Sequence, residues 1–470
     1  FSMIASRYAA LCAVLCGLAN FLLWCGFEAN VFISEPLLHS VNARAPERIG
    51  AHDGYYGMAL TNFFYMVSNL VVPIMTNYVR CKWILTLSGV CFLLYFLSFL
   101  LLNRILFFGA ASFLGFGFSA FNVGYSGYLT EFSTRATIEK NTALSWGVSS
   151  LSVMGGAFVN LAVTTINLKE SSGIASNYRE YSDTEIRCFF AAFSCLSCLA
   201  IALFASLPNK HVEGNIAESN VRHDTVTKQL KVMLSILVHH RVLILVPYYL
   251  YIGLFFSLWT SIVPTTFQFT KALSLNVYIP AYFGIMFTIG CVSMSLLTMK
   301  LSTLVRDFSL KPLMVITVCL HLLIYAIIIC VIPEWSTVRP NDEPSLLVQP
   351  TVLPILLLAF MFGVADAANN STRTVISSLL LPTTRQQTFG ASRFYHGLAA
   401  GLLLFVAPSL SIYAYVAILT TFLAVSTIAF FHSCNFIRDE ECNAAKRLTE
   451  IDLRVTEKGA VDNAAFTTDS

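Results

Sequence analysis

Charge is what this sequence has least of. Asp, Glu, Lys and Arg supply 12% of the 470 residues, against roughly 25% in soluble domains, which excludes an ordinary soluble fold. Excess positive charge is also lacking. A formal net charge of +3 offers no basic surface for nucleic acid, so none is expected as a partner. The chain has no glycine-rich nucleotide loop, no metal-ligand cluster and no spaced Ser/His/Asp set, each of which would carry a catalytic chemistry. An enzyme is therefore not expected, and neither are catalytic residues, a metal or a cofactor. The thirteen cysteines lie mostly in apolar runs, and no polar loop holds the pairs of a disulfide framework. Cys195 and Cys198 share a helix face at metal-like spacing, but no second Cys/His pair accompanies them, so they read as small packing residues.

Long apolar runs are what is there. Hydrophobic residues reach 56% and the mean hydropathy is +0.70. A membrane span needs about 20 predominantly apolar residues, and twelve segments qualify: 9–33, 55–79, 82–102, 105–129, 142–166, 187–207, 242–265, 277–299, 312–332, 351–380, 388–409 and 412–433. No cleavable signal peptide is expected, because the run after Arg7 is long enough to span. The pattern implies an all-α polytopic membrane protein of four parts. Residues 1–207 form an N-terminal six-helix bundle, 208–241 a cytosolic linker, 242–433 a C-terminal six-helix bundle, and 434–470 a solvated, disordered cytosolic tail. Within the linker, Val226, Leu230, Met233, Leu234 and Leu237 recur at helical spacing with Lys228 and Lys231 off the stripe, as in a helix lying on a membrane surface. With the N-terminus inside, twenty Lys and Arg fall on the inner side against eight outside. That asymmetry predicts both termini in the cytosol, without choosing a membrane.

The two halves share a weak repeat. Shifted by 248 residues, LGFGFSAFNVGY at 114–125 overlies FGVADAANNSTR at 362–373, matching Gly115 to Gly363, Ala120 to Ala368 and Asn122 to Asn370. FLLW at 21–24 similarly echoes FSLW at 256–259. Gly397 and Gly401, and the Ala111, Gly115, Ser119 series, are spaced for close helix packing.

Polar residues inside the spans are the candidates for chemistry. In GVADAANNSTRT at 363–374, Asp366, Asn369, Asn370 and Arg373 share a broad helix face. An acid deep in a span is expensive and is by default a functional candidate. Asp366, Asn370 and Asn122 are therefore read as a central polar site for a small solute, with a sealed amide network as the competing reading. Arg373 is expected to snorkel to the inner interface. Glu28 is expected to reach the outer interface, and Glu131 and Arg135 to pair at the inner one. His321 and His396 are expected to pack as neutral rings.

Three segments carry a resemblance. GYYGMALTNFFYMVSNLVVP at 54–73, through Gly54, Tyr55, Ser68, Asn69 and Pro73, is similar to the second span of the Unc-ninety-three family of the major facilitator superfamily. So is LTEFSTRATIEKNTALSW at 129–146, through Leu129, Thr130, Asn141 and Trp146, and GVADAANN, through Gly363, Asp366 and Asn370. The sequence departs from that family at Tyr125-Ser126, Cys291 and Thr372, and the loop after the second span is reduced to TNYVRCKW. The resemblance implies twelve transmembrane helices in two six-helix bundles with the major facilitator fold. It also implies a non-enzymatic, bilayer-embedded regulator or accessory partner of a channel or receptor. The alternative it leaves open is a secondary transporter of a small solute or ion.

Overall fold

The computed structural model describes residues 2–134, 137–171, 178–208, 226–274, 276–305, 307–381 and 384–466. A backbone inside a bilayer must satisfy its own N–H and C=O groups, so apolar runs of this length become helices. The helices are α1 (Ser2–Val31), α2 (Ser34–Arg44), α3 (Asp53–Met75), α4 (Cys81–Leu101), α5 (Arg104–Glu131), α6 (Ile138–Ser149), α7 (Ser152–Ser171) and α8 (Asp183–Ser206). After the linker come α9 (Val226–Leu237), α10 (His240–Ser257), α11 (Val263–Phe269), α12 (Lys271–Ser274), α13 (Ile279–Leu304), α14 (Lys311–Val331), α15 (Val352–Leu380), α16 (Arg385–Val406) and α17 (Ile412–Phe466). Among the described residues, 12 helical segments are long and apolar enough to cross a membrane. The fifth combines α6 with α7, and the seventh combines α10 with α11.

In the seventh span a π-helical turn, Leu258–Ile262, separates α10 from α11. Pro264 explains the loosening, since it has no N–H for the carbonyl four residues back and its ring crowds that turn. Helix α1 stops at Val31, but α2 resumes three residues later, so the chain near Glu28 stays inside the protein. The last helix corrects an expectation. The tail from 434, expected as disordered, continues α17 to Phe466. At its root it is tied to the bundle by Arg241, whose Nη1 and Nη2 donate to Glu440 at 2.9 and 2.5 Å and whose guanidinium lies over Phe436. Of the linker, residues 209–225 lie outside the described residues. Helix α9 buries Met233, Ile236 and Leu237 against α3 and α16, so part of its apolar stripe is spent on the protein itself.

The helix crossings reproduce the repeat. A Cβ on Gly115 of α5 would stand 2.2 Å from the Thr61 carbonyl of α3, and one on Gly363 of α15 would stand 2.0 Å from the Phe287 carbonyl of α13. Fourth span on second and tenth on eighth are the same contact in the two halves. Only glycine allows backbones so close.

Helices now have two ends to distinguish: a near end, where α3 stops and α10 and α16 begin, and a far end, where α4 stops and α5 begins. The far end is closed across the two halves. Gln268 Nε2 donates to the Phe32 carbonyl at 2.8 Å, and the Tyr55 hydroxyl to the Thr337 carbonyl at 2.8 Å. Tyr181 donates to Gln268, and Arg179 donates to the Val277 carbonyl.

Candidate functional site

Helix α15 presents two polar faces, not the one expected. Asn369 and Thr372 turn into the C-terminal half, where Asn369 Nδ2 meets His321 Nε2 at 3.4 Å and the Tyr248 hydroxyl pairs with Thr372. His321 is fully buried, edge-on to Phe255 at 4.2 Å, the packed ring expected from sequence. The other face, Asp366, Asn370 and Arg373 at i, i+4 and i+7, turns toward the N-terminal half. Asn370 Nδ2 donates to Asp366 Oδ2 at 2.9 Å, and Arg373 Nη2 donates to Asn370 Oδ1 at 2.7 Å. The three are half-buried, so packing does not fully enclose this line of charge within the span.

Residues from other helices complete the line. Glu28 of α1 and Cys291 of α13 lie within electrostatic reach of Asp366. Glu28 therefore faces the interior, contrary to the expected place at the outer interface. Arg373 does not snorkel outward either. It lies within the field of Arg393 of α16 and of Tyr65 of α3. Arg393 Nη1 donates to the Tyr65 hydroxyl at 2.9 Å, and Asn122 Nδ2 to the same oxygen at 3.4 Å. The hydrogen bonds thus form two groups, Asp366–Asn370–Arg373 and Arg393–Tyr65–Asn122, so Asn122 is not bonded to the other two expected residues. His396, one turn from Arg393 and beside Phe256 at 5.1 Å, is in reach of both guanidiniums. The expected Glu131–Arg135 pair falls outside the described residues, which omit Arg135.

Several buried nitrogens around this line have no partner: the indole N–H of Trp24, that of Trp259, and Nδ1 of His396, a donor or an acceptor according to its tautomer. Such groups are rare in native proteins and call for an explanation. Trp259 sits on the π-helical turn, stacked on Phe287 at 4.2 Å. Its N–H lies near the Asp366 carboxylate but closes no hydrogen bond of ordinary geometry. Trp24 is its counterpart in the repeat and stacks on Phe118 at 5.4 Å, which in turn meets Tyr65.

The remaining motif residues are positioned for packing. Gly54 lets α3 press on Glu35, whose Oε2 accepts the Tyr55 N–H at 2.8 Å. Ser68 is buried, and Asn69 Nδ2 caps the Tyr65 carbonyl at 2.8 Å while Pro73 lies in the last turns of the same helix. Leu129 is buried, Thr130 donates to Gly127 O at 2.7 Å, and Asn141 Nδ2 donates to Ser133 Oγ at 2.9 Å. Trp146 stays 47% exposed, edge-on to Tyr125. Sequence reasoning missed Arg393, Tyr65 and His396 as partners of the site. The available signal was an arginine one turn before the GxxxG of a span.

Comparison with known proteins agrees with this architecture. The UNC93-like protein MFSD11 of Xenopus laevis is 21% identical over 445 residues, covering 89% of this chain and 94% of that one. Its Xenopus tropicalis counterpart is 21% identical over 437 residues, with the same coverage. Among solved structures, the nucleoside transporter NupG superposes with a TM-score of 0.60 at 12% identity over 90% of this chain and 98% of its own. The peptide transporter POT in complex with sulfate gives 0.62 at 10% identity over 91% and 94%. The inward-open xylose transporter XylE from E. coli gives 0.58 at 14% identity over 91% and 95%. These likenesses establish the major facilitator fold. With residues 45–431 matching the family described as ion channel regulatory protein UNC-93, the chain belongs to the UNC-93 family.

Proposed function

We propose that this protein is a secondary carrier in which Asp366, Asn370 and Asn122, joined by Glu28, Tyr65, Arg373 and Arg393, bind a small solute between the two six-helix halves. The observation that carries the reading is the half-buried line of charge at the interface of the halves. Structural networks inside membrane proteins are normally sealed, whereas intramembrane charge that packing leaves partly open marks a solute or ion path. Closure of the far end across the halves supports one state of an alternating-access cycle. The lysine and arginine distribution supports a cytosolic near end, with both termini and the 208–241 linker on that side.

Reconstitution into liposomes with a panel of small solutes tests this. Uptake by the wild type that disappears in Asp366→Asn supports the carrier. Absence of uptake across the panel, together with a channel or receptor co-purifying at fixed stoichiometry, replaces it with a second reading. In that reading the protein is a non-enzymatic regulator or accessory partner. The family's description as ion channel regulatory protein favours it.

A further inference from the structure

Deepening the carrier reading, we infer that Arg373 and Arg393, with the Tyr65 hydroxyl and His396, form a subsite for a carboxylate or phosphate group of a small organic anion. An arginine within a span costs a few kcal/mol on insertion scales, and here two stand on the packed helices α15 and α16, with Arg373 in the field of Arg393. Like charges so placed destabilise each other unless something negative lies between them. The protein supplies no such group in direct contact. Among the described residues no carboxylate lies within ion-pair distance of either guanidinium. Asp366 lies in the field of Arg373 but touches it only through Asn370.

Donors are also in excess. A guanidinium has five N–H donors, and the side-chain hydrogen bonds of Arg373 and Arg393 go to Asn370 and Tyr65. The Tyr65 oxygen accepts from both Arg393 and Asn122, which leaves its own O–H directed elsewhere. His396 is only 9% exposed and its Nδ1 is unpartnered. A site rich in donors and poor in acceptors suits an oxyanion, which takes two parallel N–H bonds from a guanidinium. Cations would leave these donors unsatisfied, and neutral sugars would leave both guanidinium charges without a counter-charge.

Binding to purified protein by calorimetry, with succinate, inorganic phosphate, xylose and choline as probes, tests the inference. Succinate or phosphate is expected to bind and the neutral and cationic probes are not. Arg373→Gln and Arg393→Gln are expected to weaken the anion by about 10- to 100-fold, the usual effect of losing a charged hydrogen bond. Tyr65→Phe preserves the packing and is expected to weaken it by several-fold, so the test survives an arginine variant that fails to fold. Anion affinity unchanged in Tyr65→Phe and in the folded arginine variants overturns the subsite. So does an anion affinity weaker than about 10 mM in the wild type. Binding of anions without uptake in liposomes removes the carrier reading and leaves the subsite. Uptake of xylose or choline at wild-type rate by Arg393→Gln keeps the carrier and removes the subsite.

Discussion

The hydroxyl of Tyr55 donates to the backbone carbonyl of Thr337 at 2.8 Å, a bond between residues 282 positions apart that ties the two halves together at the far end. Its base is held as well, since the Tyr55 N–H is taken by Glu35. Tyr55→Phe leaves the ring in place but strips a buried carbonyl of its partner, at a cost of about 1–3 kcal/mol. That cost falls on the far-end-closed state alone. Cysteines introduced beside Phe32 are expected to react faster with a water-soluble maleimide in Tyr55→Phe than in its parent. Equal rates would mean that the bond does not hold the end shut.

Gly363 and Gly290 form a reciprocal crossing. A Cβ on Gly363 would stand 2.0 Å from the Phe287 carbonyl, and one on Gly290 would stand 2.1 Å from the Phe360 carbonyl. Both obstacles are backbone and cannot rotate away. Gly363→Ala is expected to cost about 1–3 kcal/mol by overpacking and to lower the melting temperature in detergent. Gly109→Ala is the control, because nothing lies within 4 Å of the added carbon and alanine favours the helix by about 1 kcal/mol. Similar melting temperatures for the two variants would refute the account.

The twelve spans were legible because hydropathy over twenty residues reports directly on the bilayer, and the short repeat did place Gly115 and Gly363 in equivalent crossings. The site was legible only in part. Asp366 was marked by its cost within a span, but Glu28 and Arg373 were misplaced by counting residues from a helix end. That count assumes straight, isolated helices. It could not register that α2 extends the protein beyond Val31, or that Arg393 sits across from Arg373. Asn369 and Asn370 differ by one residue, yet one enters a sealed network and the other the central line. A hundred-degree step on a helix decides that, and the partner helices that give it meaning are hundreds of residues away.

The buried pair of Arg179 and Glu185, 2.7 Å apart and almost wholly enclosed, closes the far end beside α8. Its arginine also lies over the Tyr181 ring at 4.3 Å and donates to Thr164 at 3.2 Å. Removing one partner of such a pair strands the other, at about 3–5 kcal/mol. Arg179→Met is therefore expected to lower thermal stability sharply, and adding Glu185→Gln is expected to restore a large part of it. A double variant no better than the single one would show that the arginine acts through packing alone.

Glu35 gives the far end a dependence on pH. It lies between the spans, 3% exposed, and burial raises its carboxyl above the ordinary 4.5. The His52 ring at 3.3 Å and the Tyr55 N–H oppose that rise, and nearby Asp53 adds to it. An acid raised in the folded state contributes stability that is fully present below its unfolded value and is lost as pH climbs through its folded one. His39, against Phe269, is shifted the other way, lowered from 6.5 by burial, so its contribution is present above 6.5 and lost as pH falls. The two can be separated by substitution. The melting temperature of the wild type relative to Glu35→Gln is expected to be highest near pH 4.5 and to decline as pH rises, while His39→Gln removes the acid-side loss. A difference between wild type and Glu35→Gln that stays level across this range would show that Glu35 is held equally well in both protonation states. The far end would then owe its closure to neutral hydrogen bonds alone.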